Sequence, residues 1–304
     1  MPPPRRIELP GAGPEDVVVD AGGVLYTGIE DGRILRVARD GSDVQTIARI
    51  SGRPLGLEAL PNGDVAVCNA QVGLERVSTR SGQVTRLVDR VDGAPMLFCS
   101  NVVATGDGTL YFSESSQRYP LEDYRSDLIE HSGTGRVMRR DPDGRVEVVL
   151  SGLQFANGLR LADDESHLIV AETGAYRLTR LWLSGARAGT TDALIENLPG
   201  FPDNIGRGSD GTTWVSLPSP RDALADRLIA WPGWVRRVAW AMPSALQPKP
   251  KRTAWVVQVD AEGRIVRDLQ RPGDAYYFVT GACEYGGEIF LSSLLDSAIA
   301  AVPL

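Results

Sequence analysis

Six times along its 304 residues the chain writes a corner rich in Gly, Asp or Asn and follows it with a short run of β-branched and aromatic residues. The six are DAGGVLYTGI from Asp20, LPNGDVAVCN from Leu60, GDGTLYFSES from Gly106, DDESHLIVAE from Asp163, SDGTTWVSL from Ser209 and YGGEIFLSSL from Tyr285. A corner between alternating runs is the pattern of a hairpin. Most are followed by a second pair of runs, such as GRILRVARDGSDVQTIAR from Gly32 and WVVQVDAEGRIVRDL from Trp255, so each unit is four short strands. Where nothing is inserted the corners stand about 40 to 45 residues apart, the period of a propeller blade. A four-stranded sheet repeated six times buries its faces only against its neighbours, so the natural closure is a ring. The prediction is all-β: one six-bladed β-propeller domain over 1–304 with two lid-like insertions, at 116–134 and 218–252, the second helical in pattern. IELPG, near the N-terminus, is expected to supply the outer strand of the last blade beside AAVPL. A pair of β-sandwiches also uses short strands but does not predict regular four-strand units.

A hydrophobic fraction of 42% suffices for a large core, and no stretch of about 18 uncharged apolar residues suggests a membrane span. MPPPRRIELP has two arginines but no apolar run behind them, so it does not read as a secretory signal, and a cytoplasmic location is expected. A net charge of −7 argues against a nucleic-acid backbone as partner and favours cations. Cys68, Cys99 and Cys283 form no CxxC pair and sit in apolar surroundings, as buried free thiols do.

The polar residues that matter stand just before each innermost strand. The six entries read Gly13-Pro14-Glu15-Asp16-Val17, Arg53-Pro54-Leu55-Gly56-Leu57, Cys99-Ser100-Asn101-Val102, Phe155-Ala156-Asn157-Gly158-Leu159, Pro202-Asp203-Asn204-Ile205 and Val279-Thr280-Gly281-Ala282. Innermost strands line the channel of a propeller, so Glu15, Asn101, Asn157, Asp203 and Asn204 are expected to converge at one depth near its axis. Five side-chain oxygens, with two carboxylates and no imidazole or thiolate, suit one Ca²⁺ rather than zinc. Strand-entry turns, in which Asn and Asp cap their own backbone, are the alternative reading of each residue singly. Recurrence in register around the ring is what that alternative does not supply.

RPLGLEA at Arg53, GTGRVMRRDPDGRVEVVLSGLQFANGLRLADDESHLIVAET from Gly133 and ENLPGFPDNIGRG from Glu196 make the chain similar to the calcium-dependent six-bladed propellers. That family includes gluconolactonases, senescence marker protein, paraoxonases and strictosidine synthase-like proteins. The chain most resembles the strictosidine synthase-like branch with its adipocyte plasma membrane-associated members, over almost its whole length. The resemblance implies metal ligation by Glu15, Asn101, Asn157, Asp203 and Asn204, and a general-base role for Asp203. Two departures bear on the reaction. The enzyme that names the branch uses a glutamate on the last inner strand, whereas Tyr277-Phe278-Val279-Thr280-Gly281 has no acid before Glu284, which turns the reading away from amine–aldehyde condensation. Paraoxonases place a histidine pair above the metal, and this chain has only His131 and His167.

The expected activity is hydrolysis of a small apolar lactone or ester, with water attacking a cation-polarised carbonyl and Asp203 taking the proton. His131, inside the first insertion, is a further catalytic candidate, with a solvated loop histidine as the alternative. His167, after a hairpin corner, reads as a surface or edge residue. No GxSxG elbow points to a serine hydrolase. Both insertions are expected between second and third strands, on the face of the inner-strand entries, so Tyr119, Tyr124, Trp231 and Trp234 are candidate lid or substrate residues. The Trp- and Arg-containing second insertion reads as a lid, as a helix packed on the propeller, or as a weak membrane-surface contact. A non-catalytic small-molecule binder with structural calcium, and a biosynthetic enzyme using the same pocket, are the competing functions.

Overall fold

The computed structural model describes residues 1–223, 226–227, 231–233, 235–236 and 251–304. Six four-stranded antiparallel sheets follow one another along the chain, and the first five are paired in sequence order from innermost to outermost strand. The inner strands are Val17–Val19, Pro54–Ala59, Cys99–Ala104, Ala156–Leu161, Ile205–Arg207 and Val279–Tyr285. Arg5–Glu8 completes the sixth sheet by pairing with Ala298–Pro303, with Arg5 opposite Ala301 and Ile7 opposite Ile299. This is the expected six-bladed propeller, closed by its N-terminal strand.

Period-two alternation decides which residues bury. In the second strand of blade four, His167–Glu172, Leu168 and Val170 pack on blade three while Ile169 and Ala171 pack on blade five. The same split gives a separate apolar core at each blade junction. Trp214, the largest fully buried side chain among the described residues, fills the junction between blades five and six with Val256, Ala282 and Leu291. Between blades two and three the filling is smaller and includes Cys68 and Cys99 beside Phe112 and Met138. All three cysteines are free thiols, Cys68 and Cys99 buried and Cys283 half-buried.

Both insertions leave between the second and third strands of their blades, as expected. The first contains a turn at Leu121–Asp123 and helix α1, Tyr124–Glu130. Most of the helix expected in the second insertion, Trp234 included, lies outside the described residues. Among the described residues no helix is long and apolar enough to cross a membrane.

Candidate metal centre and active site

A cavity of about 170 Å³ opens on the face where the chain enters the inner strands. Its construction repeats around the ring. Counting back from one equivalent apolar inner-strand residue of each blade (Val17, Leu57, Val102, Leu159, Ile205, Ala282), one position back gives Asp16, Gly56, Asn101, Gly158, Asn204 and Gly281. Two positions back stand Glu15, Leu55, Ser100, Asn157, Asp203 and Thr280, all of which line the cavity and form its floor. Four positions back stand Gly13, Arg53, Phe98, Phe155, Phe201 and Phe278. The four phenylalanines form the cavity wall.

Consecutive residues can serve two layers because the inner strands are irregular where they begin. Register shifts fall between Pro54 and Leu57, Cys99 and Val102, Ala156 and Leu159, and Val279 and Gly281. A bulge re-aims successive side chains that a regular strand would send to opposite faces. Asn101 and Asn204 therefore do not share a depth with Asn157 and Asp203, as the sequence reading expected. They belong to the layer beneath, with Asp16, and do not line the cavity.

In that lower layer three polar side chains alternate with three glycines, and the alternation is steric. A Cβ on Gly56 would lie 2.6 Å from Asn101 Cα, one on Gly158 would lie 2.6 Å from Asn204 Cα, and one on Gly281 would lie 2.7 Å from Asp16 Oδ1. The polar members cross-link blades. Asp16 Oδ2 accepts the Leu57 amide at 3.0 Å and Asn101 Oδ1 accepts the Leu159 amide at 3.0 Å. Gly158→Ala is expected to lower stability by about 3 kcal/mol in urea unfolding, because backbone atoms of Asp203, Asn204 and Ile205 stand where the methyl would go.

On the floor, Asn157 Nδ2 donates to Asp203 Oδ1 and to Thr173 Oγ1, and its Oδ1 accepts Ser100 Oγ at 3.1 Å. Thr173 in turn donates to the Pro202 carbonyl at 2.7 Å, which fixes the turn carrying Asp203. A second chain crosses the axis from below. Asn101 Nδ2 donates to Asn204 Oδ1, and Asn204 Nδ2 donates to Glu15 Oε1, each at 3.0 Å. All five expected side chains thus lie in these two hydrogen-bonded chains, three at the floor and two under it.

The carboxylates there are costly. Burial, and next the charge of Asp203, push Glu15 well above the usual carboxylate range, and its Oε2 is buried without a hydrogen-bond partner. Burial raises Asp203 to about 7, and Asp16 also to about 7. Two buried acids close enough to repel each other, with an unpaired oxygen, form a set that a cation completes. Among the described residues no three His, Cys, Asp or Glu side chains form a metal-type cluster, so any ion there relies on amide and hydroxyl oxygens as well. Carboxylates with Asn and hydroxyl oxygens are hard donors, which fits Ca²⁺.

Acids at the ends of second strands hold the wall in place. Glu114 accepts the Leu97 amide and pairs with Arg136, both at 2.7 Å, while Glu172 accepts the Gln154 amide at 2.9 Å and pairs with Arg177 at 2.7 Å. The next residues, Phe98 and Phe155, meet edge to face with centroids 5.4 Å apart. The turn at Leu121–Asp123 and helix α1 close one side, with Leu121, Tyr124 and Leu128 packed on Leu55, Phe98 and Phe155. Buried Asp127 clasps both ends of the insertion, accepting Ser116 Oγ at 2.5 Å and Ser132 Oγ at 2.6 Å.

Of the lid candidates, Tyr124 lines the cavity. Tyr119 turns away to donate to Glu130, Trp231 is 52% exposed, and Trp234 is outside the described residues. His131 caps α1 in left-handed backbone and does not line the cavity. Its surroundings are Arg236, Glu172 and Arg177, and burial lowers its pKa. His167 sits on a blade strand against Trp182, bonded to Ser166, away from the cavity. Ser100, Thr173, Thr280 and Asp16 were missed as site residues. All but Thr173 are visible once the six entries are aligned on Val17, Leu57, Val102, Leu159, Ile205 and Ala282.

Residues 4–37 match the N-terminal model of strictosidine synthase-like proteins, and 101–186 match the strictosidine synthase model. Adipocyte plasma membrane-associated protein of Salmo salar is 34% identical over 315 residues, covering 95% of this chain and 75% of that protein. The chain belongs to the strictosidine synthase-like family. Arabidopsis thaliana strictosidine synthase-like 6 is 31% identical over 94% of this chain and 77% of its own. Among solved structures, a gluconolactonase of Xanthomonas campestris superposes with a TM-score of 0.70 at 17% identity, covering 100% of this chain and 95% of that one. Regucalcin of Agrobacterium tumefaciens, described as calcium-binding, gives 0.69 at 13% identity, covering 98% and 92%. At those identities the likeness is one of fold.

Proposed function

We propose that the chain is a calcium-dependent hydrolase of apolar lactones or esters. The observation that carries this reading is the pair of buried carboxylates, Glu15 and Asp203, at the floor of a cavity walled by phenylalanines. The gluconolactonase and calcium-binding regucalcin folds support it from outside.

Glu15, Asn157 and Asp203 would hold Ca²⁺ from the floor, with Asn101 and Asn204 behind them. A bound Ca²⁺ would supply polarisation of the scissile carbonyl and stabilisation of negative charge as it develops. Asp203 takes the proton of the attacking water, as the carboxylate of blade five that lines the cavity floor. Asn157 aims it. The apolar wall holds the acyl or lactone carbon skeleton and keeps bulk water out. Turnover of aliphatic and aromatic lactones and phenyl esters, measured with calcium and with chelator, tests the reading. Activity unchanged by chelation removes the cation from it.

One observation favours the non-catalytic alternative. His131 stands outside the cavity, so no imidazole assists at the floor. Ligand binding at wild-type strength without turnover of any lactone or ester in that panel would decide for a binder.

A further inference from the structure

Five blade entries place either Phe or Gly four positions before the equivalent apolar inner-strand residue (Val17, Val102, Leu159, Ile205 and Ala282), and blade two alone places a charge there, Arg53 before Leu57. Blade one offers the smallest residue, Gly13. The two fit together. Arg53 Nη2 donates to the Gly13 carbonyl at 2.7 Å, and a Cβ on Gly13 would lie 2.7 Å from Nη2 and 3.1 Å from Nη1. Gly13 also has φ of 70°, a left-handed conformation that suits glycine. The guanidinium is buried, with 8% of the residue exposed, and its Nη1 has no hydrogen-bond partner.

The peptide that Arg53 grips leads through Pro14 to Glu15, and other blades secure the remainder of the turn. The Pro14 carbonyl accepts the Ser293 amide at 2.7 Å, and the Glu15 carbonyl accepts Thr280 Oγ1 at 2.6 Å and Ser292 Oγ at 2.9 Å. Those contacts all come from blade six. Arg53 reaches the loop from blade two, on the opposite flank. Asn204 of blade five meets the Glu15 side chain and the Leu57 amide of blade two holds the next residue, Asp16, so Arg53 is the blade-two contact to the Gly13 peptide itself.

We infer that Arg53 is a positioning residue that clamps the Gly13-Pro14-Glu15 turn and so presets the Glu15 carboxylate for cation binding. The inference rests on the cation assigned to the floor under the proposed function. A guanidinium suits the task because it is planar, permanently charged and forked, so it packs flat over a bare peptide while it donates. Partners one step removed from a metal ligand commonly set affinity by orienting that ligand.

Calcium titration by calorimetry on the whole chain, together with amide exchange of the calcium-free protein, separates the possibilities. Arg53→Ala is expected to weaken calcium binding about tenfold or more. If Arg53 acted through its charge alone, its removal would tighten binding of a cation, and that result overturns the inference, as does unchanged affinity. Arg53→Lys keeps the charge but not the fork, so weakened binding is expected there too, and wild-type affinity overturns the clamp. Gly13→Ala, which displaces the guanidinium from the other side, is expected to mimic Arg53→Ala. In calcium-free protein, exchange over residues 12–17 is expected to accelerate in Arg53→Ala and Gly13→Ala while residues 200–206 keep wild-type rates. Unchanged exchange at 12–17 also overturns the clamp. A wild-type chain that binds no calcium defeats the cation reading, and the exchange rates then decide on Arg53 by themselves.

Discussion

Asp203→Asn is expected to lower kcat for the best lactone or ester at least about 100-fold at saturating calcium, because it removes the group that accepts the proton of water. The substitution is nearly isosteric and keeps one oxygen toward the Asn157 amide, so the floor stays assembled. Calcium affinity is expected to fall as well, since a charged ligand becomes neutral. Steady-state kinetics over a calcium series separates the two effects. A lost base leaves kcat low however much calcium is added, whereas a purely structural ligand lets kcat recover. Recovery to the wild-type value would remove the base from Asp203 and leave it a ligand alone.

The rise in Tm on adding millimolar calcium is expected to be several degrees at pH 8 and much smaller at pH 5. Asp16 and Asp203 have pKa values of about 7 in the fold against an ordinary 3.8, and Glu15 is raised as well. Between pH 4 and 7 the native chain thus binds more protons at these sites than the unfolded chain. Their contribution to stability falls as pH rises, by about 1.4 kcal/mol per pH unit for each proton of difference. Calcium must displace those protons at pH 5 and meets charged oxygens at pH 8. The surface carboxylates do not confuse the comparison. Asp192, beside Arg180 and Arg187, is lowered to about 2, so the stability that it contributes is lost only in stronger acid. The two histidines have pKa values lowered by burial and favour the folded state as pH rises through their range, with or without calcium. Differential scanning calorimetry at both pH values, with calcium and with chelator, reads the effect. An equal calcium increment at pH 5 and pH 8 would detach the cation from these carboxylates.

Glu15, Asn157 and Asp203 were legible because each stands at the entry to an inner strand at the same place in a repeat, and the turn signals that mark the repeat are local. Asn101 and Asn204 were legible as site residues but not in their layer. An alignment by residue type set Asn101 level with Asn157, while the bulges make Ser100 its true counterpart. Thr173 follows the second strand of blade four as Ser115 follows that of blade three, each donating at 2.7 Å to the carbonyl before the next blade's floor residue, but it lies outside the six strand entries on which the site was read. The choice of Tyr124 over Tyr119 as a cavity residue depends on the Asp127 clasp, which fixes how α1 lies. His131 was drawn to the site by its place in the lid, yet the left-handed cap turns it out of the cavity.

What the sequence determined by itself is the ring: six corners, period-two runs and an N-terminal strand for the sixth blade. Turn chemistry and strand alternation act between residues a few positions apart, and such forces can be read along a line. Depth in the channel and the partners of each carboxylate were decided only by closing the ring. Asn204 meets Glu15 across 189 positions of sequence, and Arg53 reaches Gly13 across 40. Whether a buried acid finds an amide, a guanidinium or another acid depends on contacts between blades, which the order of residues within one blade does not encode.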